Sequence, residues 1–312
     1  MISINQIHDA HRRIKPYIHN TQTLFSRTLN NMSKATLYFK CENFQRSGSF
    51  KIRGAANTVL QLSRKEISRG FVTASSGNHG AALSMISTEV GCSATIVMPK
   101  NTPKVKIKNV KRNGGNIIWC DPNQNSRDQM LQKTLAETGG ILIHPYNDIR
   151  IIAGQATAAL ELINEYSDLD IIIAPVSGGG LLSGTLCTVK QINPKIKVYG
   201  AEPYEADDTY RSILSGRIES NLTTNTICDG LRAQVGVINF PIIKKNVESI
   251  LRVKESSIIE AMRLCWECMK IIIEPSCAIT LAAILNNKDI FEGQKVGLII
   301  SGGNVNLDDL PW

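Results

Sequence analysis

Lys51 lies between Phe50 and Ile52 in the run Ser47-Gly48-Ser49-Phe50-Lys51-Ile52-Arg53-Gly54, just ahead of Ala55, Ala56, Val59 and Leu60. A lysine held among apolar side chains has its charged form disfavoured, which frees the amine as a nucleophile toward a carbonyl carbon. A single lysine near a helix start is more often simply solvated, so this reading needs further groups around it. Three turns offer them: Ser75-Ser76-Gly77-Asn78-His79-Gly80, Ser177-Gly178-Gly179-Gly180 and Ser301-Gly302-Gly303-Asn304. Glycines 178–180 form a candidate phosphate cradle, because without side chains the backbone N–H groups can approach an anion at the positive end of a helix. A flexible strand-to-helix connection explains the same glycines equally well. The run matches neither G-x-G-x-x-G nor G-x-x-x-x-G-K-[ST], which argues against a dinucleotide fingerprint and a P-loop.

Each turn follows a short apolar run: residues 71–74, 171–174 and 296–300. Continuous apolar runs of this length read as strands buried on both faces, and after the first two the spacing turns helical. Residues 94–98, 116–119, 141–144 and 197–201 are further strand candidates. Strands alternating with helices predict an α/β fold with mostly parallel, helix-covered sheets, in which ligands sit beyond the carboxyl ends of the strands. All three turns fall there.

A chain of 312 residues has room for two cores, and 43% hydrophobic with 20% charged residues suits a folded protein. The net charge of +8 raises the question of nucleic acid, but the basic residues are dispersed and aromatics are only 5%, so no nucleic-acid partner is expected. The densest basic run holds Lys100, Lys104, Lys106, Lys108, Lys111 and Arg112, and reads as a solvated helix face. Eight cysteines show no disulfide spacing, which predicts reduced thiols and a cytoplasmic location; Cys265 and Cys268 lack a second zinc-like pair and read as core. No signal peptide or membrane partner is expected, since no apolar run approaches the roughly 20 residues of a spanning helix.

The Lys51 run and the three turns, in this order and spacing, resemble the serine racemase and serine/threonine dehydratase family of fold type II pyridoxal-phosphate enzymes. The resemblance covers nearly the whole chain and extends to His144-Pro145-Tyr146-Asn147, Ala201-Glu202-Pro203, Ala206-Asp207-Asp208, Asp229-Gly230-Leu231-Arg232 and Glu274-Pro275-Ser276. It implies a larger domain of residues 1–62 and 148–312, a smaller α/β domain of residues 63–147, and a tryptophan synthase β-like arrangement. The implied cofactor is pyridoxal 5'-phosphate, joined to Lys51 as a Schiff base, with Phe50, Tyr146 and Glu274 around it. Asn78 would meet the ring hydroxyl, Ser177, Gly178, Gly179, Gly180 and Leu181 the phosphate, and Ser301 the ring nitrogen. Lys51 and Ser76 would act as acid/base groups on opposite faces of the substrate. An amino-acid carboxylate would be received by Ser75, Asn78 and the backbone around His79, with Arg127 closing over it; the His79 ring reads as structural.

Glu202, the Ala206 carbonyl and Asp208 match a divalent-cation site, and such hard oxygen ligands suit Mg, Ca or Mn. The competing reading is that Asp207 and Asp208 cap the helix that follows. Three departures from the family pattern stand out. Ser177 replaces a glycine and is expected to act through its backbone, Cys277 replaces a glycine after Glu274-Pro275-Ser276 and is expected to crowd the layer behind the pocket, and Ala233 replaces a serine of some racemases. The expected function is serine racemisation with dehydration of L-serine and of L-threonine, in a homodimer. The alternatives are a dedicated ammonia-lyase and a non-catalytic ligand-binding relative.

Overall fold

The computed structural model describes residues 2–75 and 77–312. Ten strands form two sheets: β1 (Thr23–Leu24), β2 (Thr36–Cys41), β3 (Phe71–Ala74), β4 (Ala94–Pro99), β5 (Gly115–Cys120), β6 (Ile141–Leu142), β7 (Ile171–Pro175), β8 (Lys197–Pro203), β9 (Ser249–Val253) and β10 (Lys295–Ile300). The larger sheet runs β1-β2-β10-β7-β8-β9 and the smaller β5-β4-β3-β6. Every pairing is parallel except β1 with β2. The fold is the α/β architecture with two mostly parallel sheets that the sequence predicts.

Helices bury both faces of the larger sheet, which is why its central strands read as unbroken apolar runs. Leu37, Phe39, Ile171, Ile173, Leu298 and Ile300 point to one side, against helices Glu255–Met269 and Pro275–Asn286. Ile172, Ala174, Val198 and Ile299 point to the other, against helices Ile149–Glu165 and Gly180–Ile192. A third cluster, including Phe71, Leu83, Ile96 and Val110, fills the space beneath the smaller sheet.

The last strand is threaded between the second and the seventh, so β2, β10 and β7 are neighbours. Their carboxyl ends therefore lie side by side, and the segments that leave them carry Lys51, Ser301 and Ser177. Helix Lys51–Val59 packs on helix Ile149–Glu165 and on helix Asn78–Glu89 of the smaller sheet. Its crossing with helix Ile149–Glu165 is close: a Cβ on Gly154 would lie 2.4 Å from the Arg53 carbonyl oxygen. No side chain fits there.

Some strand expectations are corrected. The run 141–144 is a strand only over its first two residues, because the His144 ring nitrogen Nδ1 accepts the backbone N–H groups of Tyr146 (3.3 Å) and Asn147 (2.9 Å) and turns the chain. β1, β2 and β9 were not anticipated, since Lys40 and Arg252 interrupt the apolar pattern of the last two. Cys265 is buried in the core, and all eight cysteines are free thiols. No helix among the described residues is long and apolar enough to cross a membrane.

Candidate active site

Lys51 opens its helix after two short 3-10 turns, Glu42–Phe44 and Arg46–Gly48, that follow β2, and faces a cavity of about 620 Å³ between the two sheets. Its Nζ donates to the Pro145 carbonyl at 3.1 Å and lies 5.1 Å from the centre of the Phe50 ring. Burial lowers its pKa to about 8, with the carboxyl of Glu274 opposing the shift. An amine with this pKa is partly unprotonated near neutrality, as a nucleophile toward an aldehyde requires.

The glycine run meets the same cavity from β7. Gly179 stands at the head of helix Gly180–Ile192 with φ of 89°, a left-handed conformation that glycine adopts without strain, and no side chain caps the helix. A Cβ on Gly178 would lie 2.3 Å from Tyr146 Cγ, so the Tyr146 ring occupies the space a side chain would need. The result is a bare helix start with unclaimed N–H groups facing a pocket, a site suited to an anion. Ser177 departs from expectation: besides its backbone, its hydroxyl exchanges hydrogen bonds with the Ala233 N–H (3.0 Å) and carbonyl (3.1 Å). Asn239 Nδ2 adds a 2.8 Å bond to the Gly178 carbonyl.

From β3, the Ser75 Oγ accepts the N–H groups of Gly77 (3.3 Å) and Gly80 (3.0 Å), which curls the turn into helix Asn78–Glu89. Ser76 lies outside the described residues. Asn78 Nδ2 donates to Glu274 Oε1 at 2.7 Å, and Asn304 Nδ2 donates to Asn78 Oδ1 at 2.9 Å. His79 is buried, with Nε2 at 3.1 Å from the Ile143 carbonyl. Burial, with Lys51 adding to it, pushes the imidazole down to about 3, so it stays neutral. Glu274 is buried with Oε2 unpartnered, and burial pushes its carboxyl up to about 7 against the pull of Lys106. Ser301 and Arg127 also line the cavity, the latter donating from Nη2 to the Ala74 carbonyl at 2.8 Å.

One expectation is overturned here. Lys106 is not on a solvated face: it is buried, lines the cavity and forms an ion pair with Asp229. Helical spacing does hold a signal for this: Lys106 stands three and four residues before the buried Asn109 and Val110, whereas the exposed Lys104, Lys108, Lys111 and Arg112 fall on the opposite face. Cys277 is buried in the layer directly behind the pocket, with Sγ against the carbonyls of Glu274 (3.1 Å) and Gly302 (3.0 Å).

Glu202, at the end of β8, and Asp208 are both buried, away from this cavity. Glu202 accepts the N–H groups of Thr209 (3.2 Å) and Tyr210 (2.9 Å), while Asp208 Oδ2 accepts the Val235 N–H at 2.7 Å. Asp208 Oδ1 has no partner. Burial, together with the charge of Asp208, raises the Glu202 carboxyl well above its ordinary value. Asp207 pairs instead with Arg211 (2.7 Å) and Arg252 (3.1 Å). Neither Asp207 nor Asp208 caps the helix by a side-chain bond; Glu202 takes that part.

Residues 14–302 match the family model described as "Pyridoxal-phosphate dependent enzyme". The chain is 47% identical to a serine racemase of Arabidopsis thaliana, over 98% of this chain and 94% of that one. It is 44% identical to a β-hydroxyaspartate dehydratase of Paracoccus denitrificans, over 97% and 96% of the two chains. The structure of maize serine racemase superposes with a TM-score of 0.96 at 44% identity, covering 98% of this chain and 94% of that one. The chain therefore belongs to the pyridoxal-phosphate dependent enzymes, and is similar over nearly its whole length to serine racemases.

Proposed function

We propose that the chain is a serine racemase that also dehydrates L-serine, and L-threonine, to a 2-oxo acid and ammonia. The observation that carries this reading is the meeting, in one cavity, of the Lys51 amine, the bare helix start at 179–181, Ser301 and the 75–80 turn. Pyridoxal phosphate fits these residues: the uncapped helix start at Gly179 offers backbone N–H groups to a phosphate, the amine suits its aldehyde, and the buried Glu274 Oε2 and Ser49 Oγ lack partners. When bound, this cofactor withdraws electrons from the amino-acid α-carbon and makes its hydrogen acidic.

The protein's own groups then divide the work. Lys51 Nζ carries the cofactor and moves the α-proton on one face. Ser76 is the matching acid/base group on the other. N–H groups at 178–181 hold the phosphate, and Ser177 braces that loop against Ala233. The turn at Ser75, Asn78 and His79 receives the substrate carboxylate, with Arg127 above it. Ser301, which lines the cavity, would meet the ring nitrogen, and a hydroxyl there would not force a proton onto it, which would favour prompt loss of a β-hydroxyl or return of the proton.

The same reading includes a divalent cation at Glu202, the Ala206 carbonyl and Asp208. It is supported by two close buried carboxylates, the unpartnered Asp208 Oδ1, and the engagement of Arg211 and Arg252 by Asp207 instead. It also includes a homodimer and the reducing cytoplasm that eight free thiols suit.

A dedicated ammonia-lyase is the second reading, favoured by the 44% identity to a dehydratase. Incubation with L-serine and separately with L-threonine, followed by assay of D-serine, pyruvate and 2-oxobutyrate, separates the two. D-serine together with pyruvate supports the racemase; keto acid alone supports the lyase. Neither product, with no cofactor absorbance, would overturn both.

A further inference from the structure

Among the six basic residues between 100 and 112, Lys106 alone is buried. It comes from helix Lys104–Arg112 on the smaller sheet, and its partner Asp229 sits in a short turn packed beneath the larger sheet's helix Pro275–Asn286. The pair therefore spans the cavity. Its aliphatic stem lies along the 75–80 turn, where a Cβ on Gly77 would come within 2.6 Å of Lys106 Cδ. Three hydrogen bonds join the same two halves of the chain: Asn109 Nδ2 to Asn304 Oδ1 at 2.9 Å, Asn78 Nδ2 to Glu274 Oε1 at 2.7 Å, and Asn304 Nδ2 to Asn78 Oδ1 at 2.9 Å.

We propose that Lys106 is a positioning residue of this site: through Asp229 it clamps the two sheets' halves together, and it keeps Glu274 and Asn78 in register with Lys51. The proposal rests on the reading of this cavity as the catalytic one. A buried ammonium stays in place only where a carboxylate compensates it. Burial works against the Lys106 charge, but Asp229 and Glu274 outweigh it and hold the pKa above its ordinary value. In return Lys106 favours the ionised form of Glu274, while Asp229 opposes it. The other titratable groups facing Glu274 are Lys51, Cys228 and Cys277. Burial keeps both thiols neutral, so the charges at 106 and 229 and the state of Lys51 set how readily Glu274 ionises. Ionised Glu274 is the stronger acceptor for Asn78, because hydrogen bonds to a charged acceptor are shorter and stronger.

The test uses the holoenzyme with Lys106→Met, Asp229→Asn and the double variant. Cofactor absorbance and kcat/KM are followed as pH falls through neutrality. The midpoint should rise in Lys106→Met, where a favourable charge is lost, and fall in Asp229→Asn, where an unfavourable one is lost. A packing role alone moves neither in opposite senses. Lys106→Met should cost about tenfold or more in kcat/KM, since small misplacements at a reacting centre are expensive, and the double variant should be no worse than the single. Midpoints that shift the same way, or not at all, overturn the proposal. Hydrogen exchange on the cofactor-free chain tests the clamp apart from any reaction: residues 104–112 should exchange faster in Asp229→Asn than in the wild type, and unchanged exchange overturns it. If Lys106→Met fails to fold, the downward midpoint and faster exchange of Asp229→Asn decide the matter. A wild type without turnover would sink the catalytic reading, while exchange and the absorbance midpoint would still judge the clamp.

Discussion

Arg53 and Glu42 face each other as two matched forks, with Arg53 Nε and Nη2 each 2.7 Å from one oxygen of the Glu42 carboxylate and both side chains fully buried. Arg53 also donates to both oxygens of Glu161, from Nη1 and Nη2, at 2.7 Å, and Lys40 completes the cluster at 2.7 Å from Glu161 Oε2. Because Arg53 follows Lys51 by two residues, the cluster anchors the helix that presents the reactive amine. Burial works against the guanidinium charge, but Glu42 and Glu161 more than offset it and raise the Arg53 pKa.

Arg53→Met should therefore lower stability by about 3–5 kcal/mol, because it leaves two carboxylates buried with too little positive charge. Urea unfolding measures this, and a loss below about 1 kcal/mol would contradict the anchoring role. The pH dependence follows from Glu161: burial raises its carboxyl, but Arg53 and Lys40 outweigh that and hold it below its ordinary value. Its contribution is present above the unfolded carboxylate pKa and is lost as pH falls through the lower folded value. Wild type should lose stability across that acid window more steeply than Arg53→Met.

Lys51→Ala should remove the visible absorbance of the bound cofactor and reduce both racemisation and dehydration to background, because no other primary amine is placed to take its role. Lys106 is the other lysine lining the cavity, and Asp229 holds it as an ion pair. Turnover by the alanine variant would show the assignment to be wrong.

Ser76→Ala should abolish D-serine formation from L-serine while leaving measurable pyruvate. Racemisation needs one group on each face of the planar carbon, whereas dehydration of one enantiomer needs only Lys51 on its own face. A general acid or base contributes about 10² to 10⁴, so the two products should diverge clearly in one assay. Small and equal losses in both would count against a two-base mechanism.

Chelation of divalent cations should lower the melting temperature by several degrees, since a ligand held at about 100 times its Kd stabilises the fold by roughly 2.7 kcal/mol. Calorimetry with and without added Mg, Ca or Mn reads this directly. An unchanged melting temperature would leave Glu202 with only its bonds to Thr209 and Tyr210.

The sequence by itself determined the parts that depend on local chemistry. The apolar runs leading into residues 75, 177 and 301 read as strands covered on both faces, and the glycines that follow mark strand-to-helix turns where backbone can approach a ligand. These features point to the fold class, and the roles of the individual site residues follow only from the family resemblance that the four motifs carry together. What only the tertiary structure decided was the fate of charges. Lys40, Arg53 and Lys106 are of residue types that ordinarily stay in water, yet each is buried, because a carboxylate elsewhere in the chain (Glu161, Glu42 or Asp229) meets it in space. The strand β2 was hidden for the same reason, its buried Lys40 breaking an otherwise apolar run. Local periodicity measures the preference of a side chain for water, but a buried charge depends on its partner, and the partner is set by how the sheets close against each other.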